Sequence, residues 1–105
     1  MKLEINLVGK IAQHKLVEIE GKRPFLDIHI DIVLPTAGGK EFTHWIRVKV
    51  WQEMAEKIAP LLSKGCMVAV SGRPEVHPYS RRDGTPAAEL IVHADKIQVL
   101  DATEG

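Results

Sequence analysis

Two tryptophans and two cations alternate along one short stretch of the chain, Phe42–Trp51. Successive side chains of an extended strand point to opposite faces, so one predicted face carries Thr43, Trp45, Arg47, Lys49 and Trp51. The other predicted face is apolar except at His44, with Phe42, Ile46, Val48 and Val50. Indole rings interleaved with Lys and Arg suit a single-stranded nucleic acid, whose bases stack on the rings while its phosphates meet the cations. The same pattern also fits a second hydrophobic layer or a subunit contact, with the cations at its rim.

The composition limits what such a face could bind. The 105 residues predict a single domain, and 14 basic residues balance 14 acidic ones. Formal neutrality argues against a strong, non-specific polyanion binder, so any nucleic-acid site must be local. The single cysteine, Cys66, excludes an internal disulfide and fits a reducing cytoplasm. The N-terminus alternates charged and apolar residues, unlike a secretory signal, and no apolar run approaches the length of a membrane span.

The sequence argues against an enzyme. The five histidines fall in different predicted elements, and none has the spacing of a helical metal pair. The Ala37–Lys40 stretch lacks the frame of a phosphate-binding loop. Asp27 and Asp31 are expected to oppose cations on the neighbouring strand rather than to catalyse. We therefore predict no catalytic residue, no metal and no cofactor.

The hydrophobic periodicity predicts five strands and one helix. Strands are predicted over 2–8, continuing beyond a bend at Gly9, and over 25–34, 42–51, 66–72 and 89–100. An amphipathic helix over 54–62, interrupted by Pro60, lies between the third and fourth strands. A hairpin over 75–88 turns at Asp83-Gly84, and 101–105 form a short polar tail. This order is that of the five-stranded OB-fold barrel, which binds oligonucleotides or oligosaccharides on its second and third strands.

Three segments make the chain resemble the bacterial single-stranded DNA-binding protein family. They are THWIRVKVWQEMAEKIAPLLSKG, VAVSGRP and ADKIQVL, at 43–65, 68–74 and 94–100. The helix, the glycines and both aromatics match the family pattern in order and spacing. The resemblance implies single-stranded DNA as the partner, in replication, repair or recombination, with replication or restart proteins as candidate further partners.

The resemblance also implies which residues meet the DNA. Trp45 and Trp51 correspond to stacking aromatics on the third strand, and Tyr79 to a third one in the long hairpin. Arg47 corresponds to a cation of that surface. The predicted DNA-binding set is completed by further cations of the third strand, of the VAVSGRP segment and of the hairpin: Lys49, Arg73, Arg81 and Arg82.

Several departures from the family leave alternatives open. Ile46 stands where the family usually has His, Gln52-Glu53 replaces Gly-Lys, and Leu34-Pro35 occupies the place of a further aromatic. The family's long Gly/Pro/Gln-rich tail with its acidic tip is not seen before the chain stops, as expected of a truncated or naturally short form. The tail-less primosomal replication protein N family resembles the last strand and is the second choice, although it lacks the W-x-R-V-x-V-W pattern. An OB-fold module whose tryptophans serve a protein interface is the third.

The first strand predicts an assembly. Exposed strand edges in barrels of this size are usually covered or paired, and the resemblance implies pairing through the first strand. We expect a homo-oligomer, a dimer or a tetramer, with two-fold symmetry.

Overall fold

The computed structural model describes residues 2–100. In it the alternating segments of the sequence form five strands. The strands are β1 (Ile5–Val17), β2 (Phe25–Pro35), β3 (Glu41–Trp51), β4 (Met67–Ser80) and β5 (Pro86–Val99). A short helix, α1 (Gln52–Ile58), follows β3 and continues as a 3₁₀ turn, Ala59–Leu61. The polar tail predicted at 101–105 lies outside the described residues.

The strands close into a barrel in the order β1-β2-β3-β5-β4. Neighbours run antiparallel except β3 and β5, which are parallel. This closed five-stranded barrel with its helix between the third and fourth strands is the predicted OB-fold, so the fold prediction is confirmed.

The core is built from the inward positions of the strands. Branched aliphatic side chains with at most 2% exposure fill it: Ile11, Leu26, Ile28, Ile30, Val48, Val50, Val68, Val70 and Val92. Ala55 on α1 and Leu62 beyond the 3₁₀ turn close one end of the barrel. Because inward and outward positions alternate, this packing places the odd-numbered residues of β3 on the outside.

The first strand is long enough to pair with both of its neighbours in the barrel. β1 pairs with β4 over Ile5–Lys10 and with β2 over Lys10–Val17. The bulge, however, lies between Ile11 and Gln13 rather than at Gly9. Gly9 is required for a different reason, since a Cβ there would overlap the Ile30 side chain and lie 2.9 Å from the Asp31 carbonyl oxygen.

The predicted apolar face of β3 is buried only within the barrel, and the end of β2 beside it is exposed as well. Leu34 and Phe42 are 47% and 58% exposed, and His44 is also exposed. These residues pair with each other in the β2–β3 hairpin, with Leu34 opposite Phe42. They lie at the end of β2 and the start of β3, beyond the residues that form the core. Period-two alternation therefore continues past the barrel, whereas burial does not.

The start of α1 uses an unusual backbone conformation. Gln52 has a φ of 56°, in the left-handed region, and its N–H donates to the Pro24 carbonyl over 3.0 Å. This is the position at which the family pattern has glycine, the residue that adopts this conformation without steric cost. The helix ends at Ile58, four residues before its predicted end at 62, because Pro60 interrupts the backbone hydrogen bonding and the chain continues as the 3₁₀ turn.

Candidate nucleic-acid interface

Two indoles lie on the outer face of β3, Trp45 near the middle of the strand and Trp51 at its C-terminal end. Trp45 is 69% exposed and pairs across the sheet with Asp31 of β2. Trp51 is 39% exposed and pairs with Phe25. The tryptophans therefore do not form a second buried layer within this chain.

Trp51 has aromatic neighbours on both adjacent strands. Its ring centroid lies 4.8 Å from that of Phe25 on β2, with the planes tilted by 37°. Its Nε1–H donates to His93 Nδ1 of β5 over 3.2 Å, and the His93 ring plane is within 17° of the indole plane. Trp51 is thus held in place, whereas Trp45 projects further into solvent.

A compact ion-pair cluster separates the two indoles. Arg47 donates from Nε and Nη2 to the two carboxylate oxygens of Asp27, over 2.9 and 2.8 Å. Its Nη1 also donates to Glu89 Oε1 over 3.3 Å. Burial by itself would raise the pKa of Asp27, but the hydrogen bonds and charge of Arg47 outweigh it and hold that pKa below its usual value. The hydrogen bonds that Arg47 donates to Asp27 likewise raise the pKa of Arg47, so the Asp27–Arg47 pair is ionised at neutral pH.

The other two barrel cations of the predicted set, Lys49 and Arg73, lie on the side of the face nearer Trp51. Lys49 pairs with Asp27 and with His93 in register, and its Nζ lies 5.2 Å from the Phe25 ring centroid. Arg73 on β4 is exposed and opposes His93 from the other side. Lys49, His93 and Arg73 therefore form one row across three strands.

The predicted hairpin after β4 is a long two-stranded arm. β4 and β5 pair as far as Ser80 and Pro86, and the turn lies between them. Tyr79 is 46% exposed. Arg81 donates to the Thr85 hydroxyl over 3.4 Å and to the Pro86 carbonyl over 3.1 Å, whereas Arg82 is an exposed turn residue. The Thr85 backbone and hydroxyl both donate to Asp83, which lowers the pKa of this carboxyl and fixes the turn.

The arm and the outer end of β3 enclose an open cleft of about 720 Å³. Trp45, Tyr79 and Arg81 all line it, together with Phe42 and Glu89. The structure therefore brings most of the predicted residues into two groups. One lies around Trp45 and the arm, the other around Trp51, and the Arg47 cluster lies between them.

Sequence reasoning missed the residues that hold this face together. Glu89, Glu75 and His93 come from β4 and β5, and Phe25 opens β2. Only the parallel register of β3 and β5 brings His93 beside Trp51, and no period within one strand indicates such a pairing. The prediction that Asp27 opposes a cation of β3 is correct, through Arg47 on the diagonal and Lys49 directly across.

Residues 2–100 contain no group of three or more His, Cys, Asp or Glu side chains placed to hold a metal ion. No helix among them is long and apolar enough to cross a membrane.

The protein is thus an OB-fold barrel with exposed aromatic rings on the outer face of its third strand. The profile of the single-strand binding protein family matches residues 4–100. The chain therefore belongs to this family, which was the first choice from its sequence.

Individual relatives agree with this assignment. A single-stranded DNA-binding protein of Chlamydia muridarum is 38% identical over 61 residues, which cover 58% of this chain and 39% of that protein. Single-stranded DNA-binding protein 1 of Clostridium acetobutylicum is 29% identical over 102 residues, covering 93% of both proteins. The chain thus matches about two fifths of the chlamydial relative's length. The crystal structure of a small single-stranded DNA-binding protein from Streptomyces coelicolor superimposes with a TM-score of 0.76 at 18% identity, over 94% of both chains, and supports the fold.

Proposed function

We propose that the protein binds single-stranded DNA without catalysing a reaction on it, in replication, repair or recombination. The observation that supports this most directly is the exposed Trp45 ring, 69% accessible, facing the same cleft as Tyr79. Burying so much apolar ring surface in the core would have been favourable. A ring left in solvent at the mouth of a cleft is therefore best explained by a ligand with flat faces, such as a nucleobase.

Stacking and charge have separate places in this proposal. Trp45, Trp51 and Tyr79 supply the surfaces for bases. The cations that meet phosphates are Lys49 and Arg73 on the barrel and Arg81 and Arg82 on the arm. Arg47 joins them where a phosphate displaces its carboxylate partners. Family membership and the names of the relatives support DNA as the nucleic acid.

Replacing Trp45 with alanine tests the proposal directly. Each stacked aromatic is worth roughly 1–3 kcal/mol, so Trp45→Ala should weaken binding to an oligo-dT by about 5- to 150-fold. The melting temperature should stay close to that of the wild type, because the indole is mostly exposed. Leu61→Ala is the matched control, since Leu61 is similarly exposed, at 63%, but lies on the 3₁₀ turn. Unchanged affinity in Trp45→Ala, or a wild type that does not bind, would refute the proposal.

The protein is further proposed to act as a homo-oligomer in the cytoplasm. Between Ile5 and Gly9, β1 pairs with β4 alone, so its other edge carries no ladder to another strand of residues 2–100. Val8 on this segment is 51% exposed. An unpaired edge with an exposed apolar side chain favours pairing with a second copy. A monomer mass by light scattering at tens of micromolar would contradict this.

One observation favours a second candidate, a protein-interaction module. The charges at the centre of the face are balanced, because the carboxylates of Asp27 and Glu89 contact Arg47 and Lys49 lies opposite Asp27. A balanced, aromatic surface also suits a protein partner. The two candidates separate in the oligo-dT experiment, since a protein-interaction module would leave oligo-dT unbound at every salt concentration.

A further inference from the structure

The indole of Trp51 is held by an imidazole that is itself held by a carboxylate. Trp51 Nε1 donates to His93 Nδ1 over 3.2 Å, and His93 Nε2 lies 2.6 Å from Glu75 Oε1. An indole N–H only donates, so Nδ1 must be the acceptor and the ring proton is assigned to Nε2, which donates to Glu75. The Trp51–His93–Glu75 relay is therefore complete only when His93 is neutral.

The relay makes one flat surface of two rings. A hydrogen bond between ring nitrogens runs in the plane of both rings, and the two planes here are within 17° of each other. The ring centroids are 6.2 Å apart, so the rings lie side by side rather than face to face. A base stacked on Trp51 would meet the imidazole at the edge of the indole.

We propose that His93, held by Glu75, is a positioning residue for Trp51. The neutral imidazole fixes the indole plane for a stacked base, and protonation releases it. When a solvent proton binds Nδ1, that nitrogen becomes a donor facing the indole N–H, and the hydrogen bond to Trp51 is lost. The inference rests on the proposed binding of single-stranded DNA and adds a pH-dependent control at the same site.

Other charged groups near His93 could also affect Trp51 when the pH changes. The groups that face or flank His93 are Lys49 on β3, Arg73, Glu75 and His77 on β4, and Asp95 on β5 itself. The hydrogen bond from His93 lowers the pKa of Glu75, so Glu75 remains a carboxylate wherever a histidine ordinarily titrates. His77 is the other histidine in this set, so it needs its own control.

Tryptophan fluorescence reports on the relay in the free protein. In a Trp45→Phe background Trp51 is the remaining indole, since the chain has 2 tryptophans. Acidification from about pH 8 to about pH 5, the range of an ordinary histidine, should change the Trp51 emission in one step. Adding His93→Asn, whose amide oxygen replaces Nδ1 as the acceptor but does not titrate, should abolish the step, whereas adding His77→Asn should preserve it. A step that persists with His93→Asn, or no step with His93 present, would overturn the proposal.

Affinity for oligo-dT then tests the consequence for binding, with Trp45 in place. At about pH 8 we expect His93→Phe, which keeps a ring but loses the acceptor, to bind about three- to tenfold more weakly, and His93→Asn to bind within about twofold of the wild type. Equal affinities for the two variants, with native melting temperatures, would contradict a positioning role. The two proposals fail separately. A wild type that does not bind oligo-dT refutes the function, while the fluorescence step still decides whether His93 positions Trp51.

Discussion

Replacing Asp27 with asparagine should strengthen DNA binding while weakening the fold. Asp27 engages Arg47 through two hydrogen bonds of 2.8 and 2.9 Å, and its side chain is only 14% exposed. In the free protein this bidentate pair occupies the donors that a phosphate would use. Asp27→Asn removes the charge, keeps the shape of the side chain, and leaves Arg47 with Glu89 as its carboxylate partner.

The structure sets the size of both effects. Hydrogen bonds to charged groups are worth about 1.5–3 kcal/mol each, and asparagine retains an acceptor oxygen, so the free energy of unfolding should fall by about 1–3 kcal/mol. One additional phosphate contact on a single strand steepens the salt dependence of log K by about 0.7. We therefore expect a less stable variant that binds oligo-dT more tightly at low salt and loses that advantage at high salt.

Asp31→Asn provides the matched control. Asp31 lies on the same strand and the same outer face, opposite Trp45, and no ion pair to it is formed within residues 2–100. Both variants remove one negative charge from the face, but only Asp27→Asn frees Arg47. Titrations of oligo-dT at several salt concentrations, with chemical denaturation in parallel, measure both effects. If the two variants show the same change in salt slope, the gain is a general charge effect and the reasoning about Arg47 is wrong.

The pH dependence of stability gives an independent check. The pKa of Asp27 is lowered from its ordinary value of 3.8, because Arg47 outweighs the effect of burial. A carboxyl with a lowered pKa in the folded state stabilises the fold above its ordinary pKa and loses that contribution as the pH falls through the lowered value. The stability difference between wild type and Asp27→Asn should therefore be constant near neutrality and shrink below about pH 3.8. A difference that grows on acidification would contradict this.

Three further predictions concern the arm and the backbone. Alanine at both Arg81 and Arg82 should flatten the salt slope of oligo-dT binding by about 1–1.5, and an unchanged slope would place the arm away from the DNA. Gln52→Gly should raise the free energy of unfolding by about 0.5–1 kcal/mol, because glycine adopts the φ of 56° at this position without strain; a lower melting temperature would refute this. Gly72→Ala should destabilise the protein strongly, since its Cβ would overlap the His93 carbonyl oxygen and lie 2.8 Å from the carbonyl carbon; a near-native denaturation midpoint would mean that the strands separate at little cost.

Much of the barrel was predictable because its strands are amphipathic. The predicted strands 25–34 and 42–51 correspond to Phe25–Pro35 and Glu41–Trp51. The strands predicted over 66–72 and 89–100 are continuous with the hairpin predicted over 75–88, since β4 continues to Ser80 and β5 begins at Pro86. Residues 75–80 of this arm are exposed on both faces of the hairpin, so they carry no hydrophobic alternation. The pairing of the arm depends on the turn and on backbone hydrogen bonds.

The organisation of the candidate site was less predictable, because it depends on contacts between distant strands. Period two correctly predicted the outward positions of Trp45 and Trp51 on β3. It could not indicate that Glu89 would reach Arg47, or that His93 would reach Trp51, since both come from β5 through the parallel pairing that closes the barrel. A cation and an aromatic are recognisable in a sequence, whereas the partner that neutralises or orients them depends on the register of another strand.

These contacts imply that binding to this face should depend on rings for affinity and on the arm for its response to salt. The barrel cation nearest the middle of the face, Arg47, is already paired with two carboxylates, and the chain as a whole has no net charge. Arg81, by contrast, hydrogen-bonds only to neutral oxygen atoms of Thr85 and Pro86 within residues 2–100. Changes to Trp45 should therefore lower affinity at every salt concentration, because stacking depends little on ionic strength. Changes to Arg81 should lower it mainly at low salt, where the release of counterions contributes most to binding.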